Sequence, residues 1–257
     1  MTIETVAFFI PLFALFLYVI FFAIESAAAL ILFAPGLLGR RNHTLPEEAL
    51  ADYISPRWEA TNVFLVFALV AFVAFFPGAV PIWGPALITP AFLFLVVMGL
   101  RTIGMLAAFY APSTRIARRP TFFFLTLTHF LASAILFGGT VPFFLFGVEG
   151  DLPRSLWFGA IAALASFVIG TAFFNHRAKR ATGTLLWLLA SIASAAIVFF
   201  GTAVAALPYA VYPYITLHAS FTDPVSARYM LIGLGIGIIL VLPAFYLLYR
   251  LFSGKEQ

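Results

Sequence analysis

Residues 54–77 read ISPRWEATNVFLVFALVAFVAFFP: Arg57, Trp58, Glu59 and Asn62 crowd the mouth of an apolar run that carries no charge up to Phe76. A hydrocarbon layer about 30 Å thick is crossed by roughly 20 apolar residues of helix, and this run is of that order. The same pattern recurs on both sides of it. The chain is 63% hydrophobic and 9% charged, where a soluble domain has about half and about a quarter. With a mean hydropathy of +1.08, it reads as an all-α integral membrane protein. Polar groups are therefore scarce enough that each one inside an apolar run needs a reason.

Working outward, seven segments qualify as membrane-spanning, at about 4–34, 60–80, 86–110, 120–147, 154–176, 183–207 and 226–250. Short cytoplasmic connections retain Lys and Arg, and here the basic residues alternate. Arg40, Arg41 and Arg57 fall in the first connection, Arg115, Arg118 and Arg119 in the third, and Arg177, Lys179 and Arg180 in the fifth; Arg250 and Lys255 close the tail. The N-terminal tail and second connection have none, the fourth has Arg154 alone, and the sixth has Arg228 at its end. This predicts a single transmembrane domain over residues 1–257, N-terminus outside and C-terminus inside. The first helix has no basic region or small-residue cleavage site before it, so it is expected to be retained. The net charge of +4 sits between apolar runs, where it sets topology, and no nucleic-acid partner is expected. With no Cys in the chain, disulfides, iron–sulfur clusters and thiolate-ligated haem are excluded.

Local signals mark some boundaries. Thr44-Leu45-Pro46-Glu47 has capping-box spacing and predicts a short surface helix to Tyr53. Asp223-Pro224 reads as a cap and first-turn Pro of the last helix. Gly233 and Gly237, within that helix, are expected at a close helix–helix contact. Asn42-His43-Thr44 matches a glycosylation sequon but falls on the inner side.

An ionisable side chain in hydrocarbon costs roughly 2.5–3.5 kcal/mol on insertion scales unless it is paired or wet. The candidates are Glu25, Glu59, Arg101 and His129. Glu25 and Arg101 each lie nine residues before the inner ends of their segments, and His129 nine after the start of its own. At 1.5 Å per residue all three share a level about 14 Å deep. Glu59 lies nearer the inner surface, so Glu59 and Glu25 form a graded proton-transfer route with Arg101 as counter-charge. The competing reading is a buried Glu25–Arg101 ion pair that only ties two helices together. Trp58 suits an interfacial belt and His129 a hydrogen-bonded core position; with Asn62 they are supporting polar groups. His176 lies at the inner end of its segment and His129 deeper, so the two do not match as haem ligands. No catalytic residue and no metal ligand is expected in this chain.

Three stretches carry a resemblance to a known family. These are YVIFFAIESAAAL at 18–30, ISPRWEATNVFLVFALVAFVAFFP at 54–77 and ASFTDPVSARYMLIGLGIGIILVLPAFYLLYRLF at 219–252, with Leu100-Arg101 between them. Together they resemble subunit II of the cytochrome bd-type quinol oxidases. That family has two acids three apart in the first stretch, of which Glu25 matches the second and Phe22 replaces the first. In the second stretch Glu59 stands for the family's Asp, and Ala60, Thr61 and Asn62 replace Gly-Asn-Glu. An acid and a second Arg after Arg101 are replaced here by Leu106 and Ala108. The family norm is eight helices, one more than the segments counted here.

The resemblance implies a subunit without redox centres of its own, in a prokaryotic cytoplasmic membrane. Its partner would be a haem-bearing subunit I carrying haem b and haem d, or b-type haem only. A small single-helix subunit and a structural quinone are further companions that the family admits. Glu25 and Glu59 would feed protons toward the oxygen-reducing haem. Two alternatives stay open: a stand-alone transporter or channel, with helix breaks at Gly138-Gly139 or Gly201, and a purely structural oxidase subunit.

Overall fold

The computed structural model describes residues 2–33, 58–110, 123–128, 131–132, 135, 157, 161, 164–165, 168–170, 172–173 and 184–253. It is helical and membrane-embedded. Helix α1 spans Ile3–Phe33, α2 Trp58–Phe75 and α3 Val80–Tyr110. Further along come α4 (Thr184–Ala206), a β1–β2 ribbon (Tyr209–Val211, Ile215–Thr216), the short α5 (Leu217–Ser220) and α6 (Pro224–Ser253). Helical residues 123–128, 131–132 and 135 belong to the fourth apolar segment, and 157, 161, 164–165, 168–170 and 172–173 to the fifth. The surface helix expected at 45–53, His43, His129, His176 and Gly138-Gly139 lie outside the described residues.

In lipid every backbone polar group has to be satisfied within the chain, which is why the long apolar runs become continuous helices. Helix α1 is the axis of the described bundle. Of an apolar 18-residue window in it, 61% is buried, against 11% and 6% for such windows in Pro77–Gly104 and Leu188–Ala206. Its buried stripe runs Ala7, Pro11, Ala14, Tyr18, Phe22, Glu25, in steps of three and four that keep one helix face inward. Helix α2 answers with Thr61, Leu65, Ala68, Ala71 and Phe75, all buried at the same spacing. Alanines on both stripes let the two backbones approach closely, the packing mode available where lipid gives helices no hydrophobic reason to associate. Outward faces carry Leu186, Ile197 and Leu240, each more than two-thirds exposed, as suits contact with acyl chains.

The second and third apolar segments meet differently from the sequence expectation, which left residues 81–85 as a connection. Phe76 leaves the helical region at φ −125°, Pro77–Ala79 form one 3₁₀ turn, and α3 starts at Val80. Pro81 falls in the first turn of α3, where its missing amide would be unpaired anyway, so it starts the helix instead of breaking it. Gly78 is required by close approach: a Cβ there would stand 2.9 Å from the Ser220 Cα and 3.2 Å from two carbonyl oxygens.

The ribbon was not foreseen either. Tyr209 pairs with Thr216 and Val211 with Ile215 across a bulged antiparallel register. Leu217 N–H donates to the Pro208 carbonyl at 2.8 Å and Thr222 N–H to the Phe75 carbonyl at 2.9 Å, fastening this segment to the end of α2. Beneath it lies an apolar core of Phe8, Phe75, Phe76, Val211 and Leu217. Asp223 caps α6 as the sequence indicates, its Oδ1 accepting from the amides of Val225 at 2.8 Å and Ser226 at 3.1 Å. A Cβ at Gly233, Gly235 or Gly237 would meet no described atom within 4 Å, so the contact expected of Gly233 and Gly237 is not made among the described residues. That stripe lies on a face the described bundle does not use, because α6 meets the bundle through α1 and Ala227.

Candidate polar site inside the helix bundle

Three helices each bring one polar side chain to a common point. Glu25 lies on the inward stripe of α1, Thr61 on that of α2, and Arg101 lies seven positions beyond the buried Phe94 on α3. Their exposures are 5%, 3% and 3%. Arg101 Nη2 donates to Glu25 Oε2 at 3.2 Å, and the Thr61 hydroxyl donates to Glu25 Oε1. Both carboxylate oxygens are thus engaged, one by a cation and one by a neutral donor. The guanidinium also rests over the Phe22 ring, its Cζ 4.8 Å from the centroid, at a distance where the ring face attracts a cation. Phe22 and Glu25 lie three apart on α1, so one helix turn presents both a π face and an anion to the same guanidinium.

The cluster is neutral in sum, which a buried site needs: an unpaired ion in low dielectric is far costlier than a pair. Phe22, under the guanidinium, belongs to an apolar core with Tyr18, Leu65, Phe94 and Ala132. Tyr18 stacks on Phe22 with ring centroids 5.5 Å apart. Its hydroxyl and Arg101 Nη1 are buried without a hydrogen-bond partner among the described residues.

Of the residues singled out from sequence, Glu25 and Arg101 are brought together. Asn62 is half-buried beside Thr61 on α2. Trp58 and Glu59 open α2, but their side chains lie outside the described residues, as does all of His129. Thr61 and Tyr18 were missed as members of the site. The signal for both was spacing: Tyr18, Phe22 and Glu25 follow each other by four and three, as do Thr61, Leu65 and Ala68. His218 is exposed and pairs through Nδ1 with Glu4 Oε1 at 2.8 Å. Among the described residues no group of three or more His, Cys, Asp or Glu is placed to hold a metal ion.

Fold and site together define a multi-pass helical membrane protein with a charge-balanced polar centre. Its fold is that of a solved membrane oxidase: the chain matches one from the bd oxidase of Geobacillus thermodenitrificans with a TM-score of 0.67, 19% identity and 100% coverage of both. In sequence it is 36% identical over 62 residues to the putative cytochrome bd menaquinol oxidase subunit II of Bacillus subtilis (strain 168). That stretch is 24% of this chain and 18% of the relative's length. No family model matches the chain. The resemblance to bd-oxidase subunit II read from the three sequence stretches is upheld by the sequence relative, and the fold match to a bd oxidase chain agrees with it.

Proposed function

We propose that this chain is the haem-free membrane subunit of a cytochrome bd-type quinol oxidase in a prokaryotic cytoplasmic membrane. The observation that carries the reading is the full-length structural likeness to a bd oxidase chain, and the local sequence likeness to a subunit II supports the choice of subunit. The chain acts as one transmembrane domain. Its outward apolar faces pack against a haem-bearing subunit I, which oxidises quinol and reduces oxygen.

Oxygen reduction to water consumes one proton for every electron, so a buried haem needs a proton supply. Glu25 is the residue of this chain suited to that task, because carboxylates are the groups that relay protons through lipid. Glu59 lies two positions before Thr61 on α2, which places it on the approach from the inner surface. Thr61 orients one oxygen of Glu25 and Arg101 holds the other, so the carboxyl is fixed in place on the route. No electron passes through this chain in the scheme.

A second reading, a purely structural subunit, is favoured by the engagement of both Glu25 oxygens, which would suit a fixed ion pair. The transporter reading lacks support at Gly201, where α4 runs unbroken.

Purification of the chain from its own membrane in mild detergent, with identification of what accompanies it and a reduced-minus-oxidised visible spectrum, tests the assignment. A haem-bearing partner with b-type, or b- and d-type, bands is the expected result. A chain isolated alone and free of haem would overturn it.

A further inference from the structure

The polar centre leaves two donors unanswered. Arg101 uses Nη2 on Glu25 while Nη1 is buried and unpartnered, and the Tyr18 hydroxyl is likewise buried and unpartnered among the described residues. The two side chains flank one ring, since Tyr18 stacks on Phe22 and the Arg101 guanidinium rests over it. The Tyr18 hydroxyl is also within electrostatic reach of both Arg101 and Glu25. Tyr18 is fully buried and Arg101 97% so, and buried polar groups in folded proteins are almost always satisfied by protein or by ordered water.

The donor set selects the ligand. A guanidinium only donates, so the group facing Nη1 has to accept. A metal cation is excluded on that ground. An anion would add an uncompensated negative charge to a pair that already sums to zero, at a prohibitive desolvation cost. A neutral acceptor remains. A water oxygen can accept from both the Arg101 N–H and the Tyr18 O–H and donate to the second lone pairs of the carboxylate oxygens, so one neutral molecule that accepts and donates satisfies all of them. Water is the molecule that does both, and internal waters characteristically make about three such bonds.

We propose that Tyr18, Arg101 and Glu25 hold internal water, one molecule or a short file, so that Tyr18 is a fourth member of the polar site. The assignment rests on the geometry of the cluster alone. Taken with the proton-delivery reading, it gives the route a direction. Glu59 and Thr61 lie on the approach to Glu25, while Tyr18, seven residues nearer the start of α1, continues the polar path about 10 Å further along the helix.

The test is electron cryomicroscopy of the protein purified with its native partners, at a resolution that shows ordered water, for the wild type and Tyr18→Phe. The wild-type map is expected to show compact density within hydrogen-bond distance of Arg101 Nη1, continuing to the Tyr18 hydroxyl, and Tyr18→Phe to lose the part nearest the ring. Side chains placed as here with no density between them would overturn the proposal. So would extended density of a larger molecule, or water unchanged in Tyr18→Phe. If the variant does not accumulate, the wild-type map decides alone. Absence of water would leave proton delivery through Glu25 to its own test by Glu25→Gln turnover, so the two readings fail separately.

Discussion

The two ends of α1 solve opposite problems. Near its start, Phe8 packs edge-on against Phe72 and Phe76 beneath the β1–β2 ribbon, and a polar pair there, Glu4–His218, lies at the surface with the imidazole 88% exposed. Further along, the same helix carries Glu25 into a centre where a charge pair is almost wholly enclosed. The wet pair is cheap to make and contributes little, because water screens it and entropy opposes it. The dry pair is costly to form and costlier to break. Glu4–His218 can be lost with little consequence, whereas removing one partner of the Glu25 centre leaves a buried charge unpaired.

This contrast can be attacked from either end. The largest effect is expected from Arg101→Leu, which strands the Glu25 carboxyl: about 3–5 kcal/mol of stability lost, read as a drop in thermal melting in detergent or failure to accumulate. Glu25→Gln/Arg101→Leu together should recover part of that loss, because no ion is left unpaired. Recovery of none would show that Arg101 acts through its stack on Phe22 and not through charge.

At the ribbon end the sensitive element is apolar and steric. Gly78→Val is expected to cost about 1–3 kcal/mol by forcing the 3₁₀ turn away from Ser220, since the atoms it would strike are backbone. Helical content should stay the same while melting falls. A wild-type melting curve would place α5 farther from the turn than it stands here.

Asp223 gives a smaller, pH-dependent effect. Hydrogen bonds from the Ser226 side chain and amide, and then from the Val225 amide, hold its carboxyl below the ordinary carboxylate range. A depressed value means that the ionised form is favoured by folding. Its stabilisation is therefore complete above the ordinary range and is lost as pH falls through the lowered value. Asp223→Ala should lower melting near neutral pH and narrow its gap to wild type in acid; a gap independent of pH would assign the cap to geometry alone. Smallest of all, His218→Ala is expected to shift stability by less than ~1 kcal/mol, measured by the same melts with and without salt.

Legibility in the sequence follows the same division. The membrane class and the shared level of Glu25 and Arg101 were readable because charges in apolar runs are rare and helix rise converts spacing into depth. Thr61 was hidden because a hydroxyl is unremarked at the end of an apolar segment, and its importance comes from a carboxylate thirty-six residues away. The ribbon was hidden because three residues of β1 and two of β2, on either side of Pro213, are too few for alternation to register. For Gly233 and Gly237, small-residue spacing suggested a contact, but which face of α6 meets the bundle depends on tertiary packing that spacing does not encode.

The most direct test of the central claim is Glu25→Gln in the purified complex, with oxygen consumption and proton uptake measured together. The side chain keeps its size and an oxygen for Thr61 but cannot carry a proton as a carboxyl does. Depressed turnover and proton uptake in a complex that remains assembled is the result predicted for proton delivery through this centre. Wild-type turnover and uptake would contradict it and leave Glu25–Arg101 as a structural pair.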